Sequence, residues 1–403
     1  MNIFIGSIYP KYLFDELVKR GQFVDYPANV FQQSLMKGLD EQIADLRVIT
    51  SPVIRSKRDV VKDVCNPLMF SHKGIDKPQD VYVGTLLIPG LQIVAEFWKV
   101  YRTLKKDLKG SKQRNYVIIY ALHSPFLLSA VLLRKRIACS CVVVPDLPEF
   151  MTGTAGFWRK LGKKIDRSII NFCLKRLDSY ALLSPYMRDK LPIKVKPWVL
   201  MEGIYDTTSL PTGIDKKKER IVLYAGNLSR QYGILELLDA FRKIDKDNYR
   251  LWICGNGDGK NVVLKYLEND KRIKYWGVIS HDEVQVLQQQ ATVLINPRSS
   301  SGEYTKYSFP SKTMEYLASG TPTIMCHLPA IPKEYDEYIY YITDESADGI
   351  KNKILEVCEK PQHELDNFGQ RAAKFIRTKK NIFVQAGKVK ELIQTVSFGD
   401  RMH

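Results

Sequence analysis

Residues 221–259 read IVLYAGNLSRQYGILELLDAFRKIDKDNYRLWICGNGDG. An apolar run of strand length closes on Gly226, a short polar loop follows, and over 234–241 the apolar positions recur with helical spacing. A polar turn then leads into a second apolar run, 250–254, which again ends in glycine. Strand, helix and strand joined by tight loops make a βαβ unit, whose strands lie parallel. The pattern continues downstream with strands expected at 273–276, 292–296 and 321–325, each separated from the next by a helix. Upstream it is met at 2–8, 46–50, 81–88, 116–122, 138–144 and 179–183. Between the two series lie 194–197 and a stretch rich in Thr, Pro, Gly and Lys, 207–218. The expected fold class is therefore α/β: two doubly wound, Rossmann-like domains, 1–200 and 219–380, joined by a linker at 201–218. Such sheets bind ligands beyond the carboxyl ends of their strands, and paired domains bind them in the cleft between.

The 403 residues are 45% hydrophobic and 26% charged, a globular balance that excludes a disordered or fibrous chain. Against 44 Asp and Glu stand 61 Lys and Arg, a net charge of +17. The excess is uneven: residues 101–200 hold 20 basic and 6 acidic side chains, a net +14. A cationic face on the first domain attracts phosphates, nucleic acid or an anionic membrane surface. MNIFIGSIYP at the start lacks the basic leader and long apolar core of a secretory signal. Residues 116–133 carry no charge, but His123, Ser124 and Pro125 at their centre favour a strand, a turn and a helix over a membrane span. Seven cysteines without a CxxC pair point to neither a disulfide framework nor a zinc site, and fit a reducing cytoplasm.

Gly226 ends the strand 221–225, with Asn227 and Arg230 in the loop beyond. Glycine there bares backbone N–H groups to an anion, or simply gives the turn its geometry; Arg230 adds charge for a phosphate, or is solvated. Gly255, Gly257 and Gly259 form a GxGxG after the next strand, without dinucleotide-binding spacing, so a tight turn is preferred. Residues 299–322, SSSGEYTKYSFPSKTMEYLASGTP, carry the most chemistry. Pro310 near a first turn and Ser311 as its cap fit a helix start. Lys312 and Glu315, three residues apart, then share one face. A cation at a helix start suits a diphosphate, and an acceptor-only carboxylate one turn inside suits ribose hydroxyls; an ordinary surface ion pair is the alternative. In the first half, His123 follows the strand 116–122, Asp146 follows 138–144, and Gly6 and Ser7 end the first strand. All lie at carboxyl ends, where a structural histidine is the competing reading of His123. The DxD at Asp245 and Asp247 sits in a polar turn, and no cluster offers a metal site.

The segments YAGNLSRQYGILELLDAF (224–241), LWICGNGDG (251–259), IKYWGVISHDEVQVLQQQATVLINP (273–297) and FPSKTMEYLASGTPTI (309–324) stand in an order that resembles retaining GT-B glycosyltransferases. More narrowly they resemble the C-terminal domain of the glycogen-synthase-like group 1 family, strongly over 219–342 and weakly in the first half. The resemblance implies two domains facing a central cleft, with a C-terminal segment, 381–403, returning to the first. It implies a nucleotide-diphosphate sugar, UDP- or GDP-linked, as co-substrate, with no resident cofactor and no metal. Glu315 then binds the donor ribose and the loop at Gly226 and Asn227 approaches the diphosphate. Gly255, Pro310 and Ser311 adjoin the donor, and the backbone at Gly277 and Val278 lines the nucleobase pocket. Gly6 and Ser7 approach the diphosphate from across the cleft, while Asp146 and His123 contact the transferred sugar or acceptor. Two departures stand out. Where the family has a glutamate eight positions before Glu315, this chain has Tyr307, with Glu303 the nearest upstream acid; and the family's loop Arg and Lys fall on Asn227 and Tyr232. Arg230 and Lys312 remain as cations for the leaving group. A PSK-x-x-EY helix occurs in members acting in surface-polysaccharide assembly, so the expected reaction is transfer of a hexose-type sugar, with retention, to a glycan or polyprenyl-linked glycan.

Residues 157–177, FWRKLGKKIDRSIINFCLKRL, set Trp158, Leu161, Ile165, Ile169, Phe172 and Leu174 near helical spacing, with Arg159, Lys160, Lys163, Lys164 and Arg167 dense on the other side. Such a helix rests on an anionic membrane surface, or buries its apolar face in the domain core. With the donor motifs outside 101–200, the first reading puts the enzyme peripherally on the inner face of the membrane. Two rival functions are a GT-B sugar-nucleotide epimerase and a basic nucleic-acid-binding protein. The second is disfavoured because only Trp158 and Phe172 accompany the cations, so no nucleic-acid partner is expected.

Overall fold

The structure is a computed structural model and describes residues 1–399 apart from 55–61, 75–77, 89, 111–113, 151–156, 209–210, 212–213, 215 and 217, together with the side chains of 62–63, 150, 157–159 and 398–399. The chain forms two compact units, Met1–Ile204 with the C-terminal helix, and Tyr205–Asn381.

The first unit holds β1 (Asn2–Gly6), β2 (Leu46–Thr50), β3 (Leu68–Phe70), β4 (Asp80–Tyr82), β5 (Tyr116–Tyr120), β6 (Cys139–Val144), β7 (Ser179–Leu182) and β8 (Trp198–Leu200). Their order in the sheet is β3-β4-β2-β1-β5-β6-β7-β8, with β3 antiparallel at one edge and the other pairs parallel. Every residue of β6 is buried, as are Ile3, Phe4 and Ile5 of β1: strands covered on both faces read as continuous apolar runs. The helices are α1 (Lys11–Lys19), α2 (Tyr26–Asp40), α3 (Gln92–Gly110), α4 (Ser124–Leu132), α5 (Phe157–Leu174) and α6 (Met187–Lys190). Right-handed crossovers place α3, α4 and α5 on one face, because β4, β5, β6 and β7 advance in one direction across the sheet. The step from β1 back to β2 puts α2 on the other face. The strand expected at 81–88 stops at Tyr82. Gly84 turns the chain at φ +72, where an added Cβ would lie 2.5 Å from the Cys65 carbonyl oxygen. Residues 116–133 divide into β5 and α4, and among the described residues no helix is long and apolar enough to cross a membrane.

The second unit holds β9 (Arg220–Ala225), β10 (Tyr249–Cys254), β11 (Ile273–Gly277), β12 (Val293–Asn296), β13 (Thr323–Cys326) and β14 (Tyr340–Ile342), all parallel in the order β11-β10-β9-β12-β13-β14. Its helices are α7 (Ile234–Arg242), α8 (Lys260–Asn269), α9 (His281–Gln290), α10 (Ser311–Ala318), α11 (Ala347–Cys358) and α12 (Gln362–Lys379). The last helix, α13 (Ile382–Gly399), packs in the first unit against α2 and the β6–β8 edge. Gly38 of α2 permits that crossing, since a Cβ there would lie 2.3 Å from the Ile382 carbonyl oxygen. Gln385 fastens it by donating to the carbonyls of Met201 (2.6 Å) and Gly203 (2.8 Å).

Candidate functional site

In the second sheet the strand order reverses between β9 and β12, and the crevice beyond their carboxyl ends is where a doubly wound fold binds ligand. Gly226 and Asn227 leave β9 there. The loop after β10 is packed onto them: Gly255 takes φ +126, and a Cβ on it would lie 1.8 Å from the Gly226 carbonyl oxygen. Gly257 and Gly259 crowd the Leu228 backbone in the same way, at 2.6 and 2.4 Å. The GxGxG thus serves the close approach of two loops, in line with the tight-turn reading. Asn227 is exposed, its carbonyl accepting from the Tyr224 hydroxyl (2.6 Å). Arg230 is also exposed, and its backbone N–H donates to Asp258 (3.2 Å). Beyond β11, Val278 is 75% exposed.

Helix α10 supplies the buried charge. Pro310, not Ser311, occupies its N-cap: Pro310 is extended (ψ 108) and its carbonyl accepts the Thr313 N–H (2.9 Å). Ser311 is already helical and exposed, and its hydroxyl caps nothing, which corrects the expected role. Glu315 is only 7% exposed; its carboxylate accepts from Gln288 Nε2 (2.6 Å) and Lys312 Nζ (3.0 Å). Burial pushes its pKa up, but the charges of Lys312 and His281 and these hydrogen bonds outweigh it and hold Glu315 below the usual carboxylate range. It is a buried anion at neutral pH, with Lys312 as its counterion. Next to it, the Tyr316 hydroxyl accepts from the Ala225 N–H (2.8 Å) and donates to the Ala225 carbonyl (3.0 Å), fixing α10 against the end of β9. Tyr307 is buried, while Glu303 lies exposed in a short 3₁₀ turn, Glu303–Lys306. Glu345 holds the preceding loop by accepting from the Ser299 hydroxyl (2.6 Å) and the Ser300 N–H (3.0 Å).

One cation here belongs to no motif. Arg298, two residues after β12, is 7% exposed, with its guanidinium between the rings of Tyr232 (5.3 Å) and Tyr304 (4.7 Å). The only sequence signal for it is position: a basic residue just past the strand that borders β9 at the reversal point.

In the first unit the reversal lies between β1 and β5. Gly6 and Ser7 are closed off by α2, contrary to a role as open anion donors: the Ser7 N–H donates to Gln32 Oε1 (2.8 Å), and Gln32 Nε2 donates to the Ser7 hydroxyl (3.1 Å). A Cβ on Gly6 would lie 2.3 Å from that same Gln32 oxygen. His123 stands at the N-cap position of α4, edge-on to Phe126, with Nε2 3.0 Å from Glu96 Oε2. Glu96, buried on α3, is a partner that no motif or spacing singles out. Asp146 is exposed just beyond β6. Among the described residues, no group of three or more His, Cys, Asp or Glu side chains is placed to hold a metal ion.

On α5, Lys160, Lys163, Lys164 and Arg167 are exposed, with Arg167 paired to Glu149; the Arg159 and Trp158 side chains lie outside the described residues. The core is met by Ile170, Cys173 and Leu174. Leu161 (42%), Ile165 (54%) and Phe172 (44%) stay exposed, so among the described residues of the apolar stripe only Leu174 is fully buried in the core. A groove of about 440 Å³ lined by Leu128, Ile165, Ser168, Ile169 and Phe172 runs between α4 and α5.

In fold the chain is similar to sucrose-phosphate synthase from Thermosynechococcus elongatus, with a TM-score of 0.69 at 14% identity over 99% of this chain and 100% of that one. It is also similar to Anabaena Alr3699/HepE in complex with UDP (TM-score 0.64, 11% identity, 98% of this chain and 100% of that one). The lipopolysaccharide outer core galactosyltransferase WaaB is a third such structure (TM-score 0.62, 12% identity, 98% of this chain and 99% of that one). No curated protein matches the chain in sequence. Residues 210–375 match the family of glycosyl transferases group 1. The architecture is thus that of the GT-B glycosyltransferases, and within it residues 210–375 are similar to the group 1 glycosyl transferases.

Proposed function

We propose that the protein transfers a hexose-type sugar from a nucleotide-diphosphate sugar to a glycan or polyprenyl-linked glycan, with retention, in cell-surface polysaccharide synthesis. Glu315 carries the reading: a buried, ionised carboxylate on the helix fixed to the end of β9 is an acceptor suited to ribose hydroxyls. UDP in the similarly folded Anabaena protein favours a UDP-linked donor, with GDP the other choice. On this reading the bond from the sugar's anomeric carbon to the diphosphate oxygen breaks, and its electron pair leaves with the phosphate. Arg230, Lys312 and backbone N–H groups near Gly226 and Asn227 stabilise that charge, so the reaction calls on no metal or resident cofactor. The acceptor hydroxyl forms the new bond on the same face and gives its proton to the departing phosphate. His123, oriented by Glu96, and Asp146 belong to the acceptor side. The donor side also takes in Pro310, Ser311, Gly255, Val278 and Glu303, whereas Gly6 and Ser7 keep only a structural part. The exposed cations of α5 hold the enzyme peripherally on the inner membrane face, beside a lipid-linked acceptor.

A thermal-shift panel of UDP-, GDP- and ADP-sugars tests the donor, because a ligand bound only by the native state raises Tm. One nucleotide class should stabilise the wild type and fail to stabilise Glu315→Ala. No stabilisation by any of them defeats the proposal. Release of a free epimer in the absence of acceptor would mark an epimerase instead.

A further inference from the structure

We propose that Arg298 binds the diphosphate of the donor, a role no motif assigns to it. The inference rests on reading residues 205–381 as a nucleotide-sugar site and names the cation of that site. Among the described residues the Arg298 guanidinium makes no hydrogen bond and no ion pair, and its Nε is buried with no acceptor. It lies over two tyrosine rings, one on the loop after β9 and the other in the 3₁₀ turn before α10. Stacking on aromatic faces returns only part of what a guanidinium loses on leaving water, and buried charges are as a rule paired. A side chain held in this state, with five donors in a planar fork, matches the oxygens of a phosphate.

Its place fits the same ligand. Arg298 follows β12, whose neighbour β9 sends out the Gly226–Gly233 loop, and the two segments touch directly. A Cβ on Gly233 would lie 2.1 Å from the Pro297 carbonyl oxygen, one residue before Arg298. The guanidinium also acts electrostatically on Tyr224, whose hydroxyl lies 3.5 Å from where a Cβ on Gly226 would stand. Arg298 therefore stands beside the glycine loop at the reversal of strand order. The alternatives are less well placed: Lys312 is committed to Glu315, and Arg230 is exposed. Tyr232, which takes the place of a family lysine, has become the platform on which Arg298 lies.

Calorimetric titration of the full chain with UDP, GDP and inorganic pyrophosphate, beside Tm measurements without ligand, tests the assignment in Arg298→Met and Arg298→Lys. The expected result is a tenfold or greater loss of nucleotide affinity in Arg298→Met and a smaller loss in Arg298→Lys, which keeps the charge without the fork. The unliganded Tm of Arg298→Met should equal or exceed the wild-type value, since an unpaired buried charge has been removed. Wild-type affinity in Arg298→Met overturns the proposal and leaves the donor site standing. A collapse of folding in Arg298→Met overturns it too, by making Arg298 a stacking residue of the core. Failure of the wild type to bind UDP, GDP or pyrophosphate overturns both this proposal and the donor reading beneath it.

Discussion

Glu315 shows how one residue's role depends on what encloses it. Its spacing from Lys312 is legible in sequence, but Gln288 and the hydroxyl clamp of Tyr316 come from folding. Glu315→Gln keeps the volume and removes the charge, leaving Lys312 without its counterion; sugar transfer should fall tenfold or more, and Glu315→Ala should do worse. Steady-state kinetics with the donor found by thermal shift decide it, and unchanged turnover in a folded variant removes Glu315 from the site. His72 is a residue with no motif at all. Its ring lies between Asp40 (2.9 Å) and Asp80 (2.7 Å). Burial alone lowers its pKa, yet the hydrogen bonds and charges of the two aspartates prevail and raise it from 6.5 to about 9. Stability from this ion triad is fully present below pH 6.5 and is lost as pH rises through about 9, a loss on the order of 3 kcal/mol. Lys216 acts in the opposite sense: burial lowers its pKa from 10.5 to about 8, so stability is gained between these values. Urea unfolding of wild type and His72→Gln at pH 6.5, 8 and 9.5 isolates the histidine, and the stability gap between them should shrink with rising pH. A constant gap contradicts the protonated triad. Neither His72, Glu96 nor Arg298 was legible in sequence, because each takes its chemistry from residues distant in the chain.

Among the elements, β9, α7 and β10 were readable because apolar period and glycine placement agree over one continuous stretch. The short strands β3, β8 and β14 were not expected: at three residues each they carry no period, and pairing with a longer neighbour defines them. Glycine at a loop between elements is ambiguous in sequence, since turn geometry, anion binding and close approach all require it. Gly255 resolves to close approach, and that has a measurable cost. Gly255→Ala meets both a backbone region reserved for glycine and the Gly226 carbonyl at 1.8 Å. It should destabilise the protein by about 3 kcal/mol or more. Gly277→Ala is the control: φ is +73 but nothing lies within 4 Å, so conformational strain of about 1 kcal/mol is the whole penalty. Thermal unfolding should separate the two by several degrees, and equal Tm values would show that the loops after β9 and β10 part easily.

At the scale of the whole molecule, the +14 of residues 101–200 was visible in the sequence, whereas the side of α5 facing the core was not. A stripe of apolar residues at helical spacing reads alike for core and for lipid, and only packing decides. Exposed apolar side chains extend beyond α5. On the same face of the first sheet, Leu91 (55%), Ile93 (51%), Val94 (52%) and Trp98 (49%) are exposed at the start of α3, and Leu132 (56%) at the end of α4. Because α3, α4 and α5 all follow carboxyl ends of parallel strands, they start at the end of the sheet that carries His123 and Asp146. Apolar side chains among cations match a bilayer of anionic headgroups better than they match nucleic acid, which rewards stacked aromatics and phosphate contacts alone. Two contributions are then separable by salt. At about 1 kcal/mol per cation, reversing Lys160, Lys163 and Lys164 to Glu costs at least ~3 kcal/mol, roughly a hundredfold in affinity for phosphatidylglycerol vesicles at low salt. Replacing Trp98, Leu161 and Ile165 by Ser should leave that low-salt attraction in place but abolish the binding that survives 0.5 M salt, where charges beyond about 4 Å are screened. Vesicle co-sedimentation reads both. If the charge-reversed protein sediments like the wild type, those lysines merely keep the chain soluble, and the membrane loses its claim as the partner of this face.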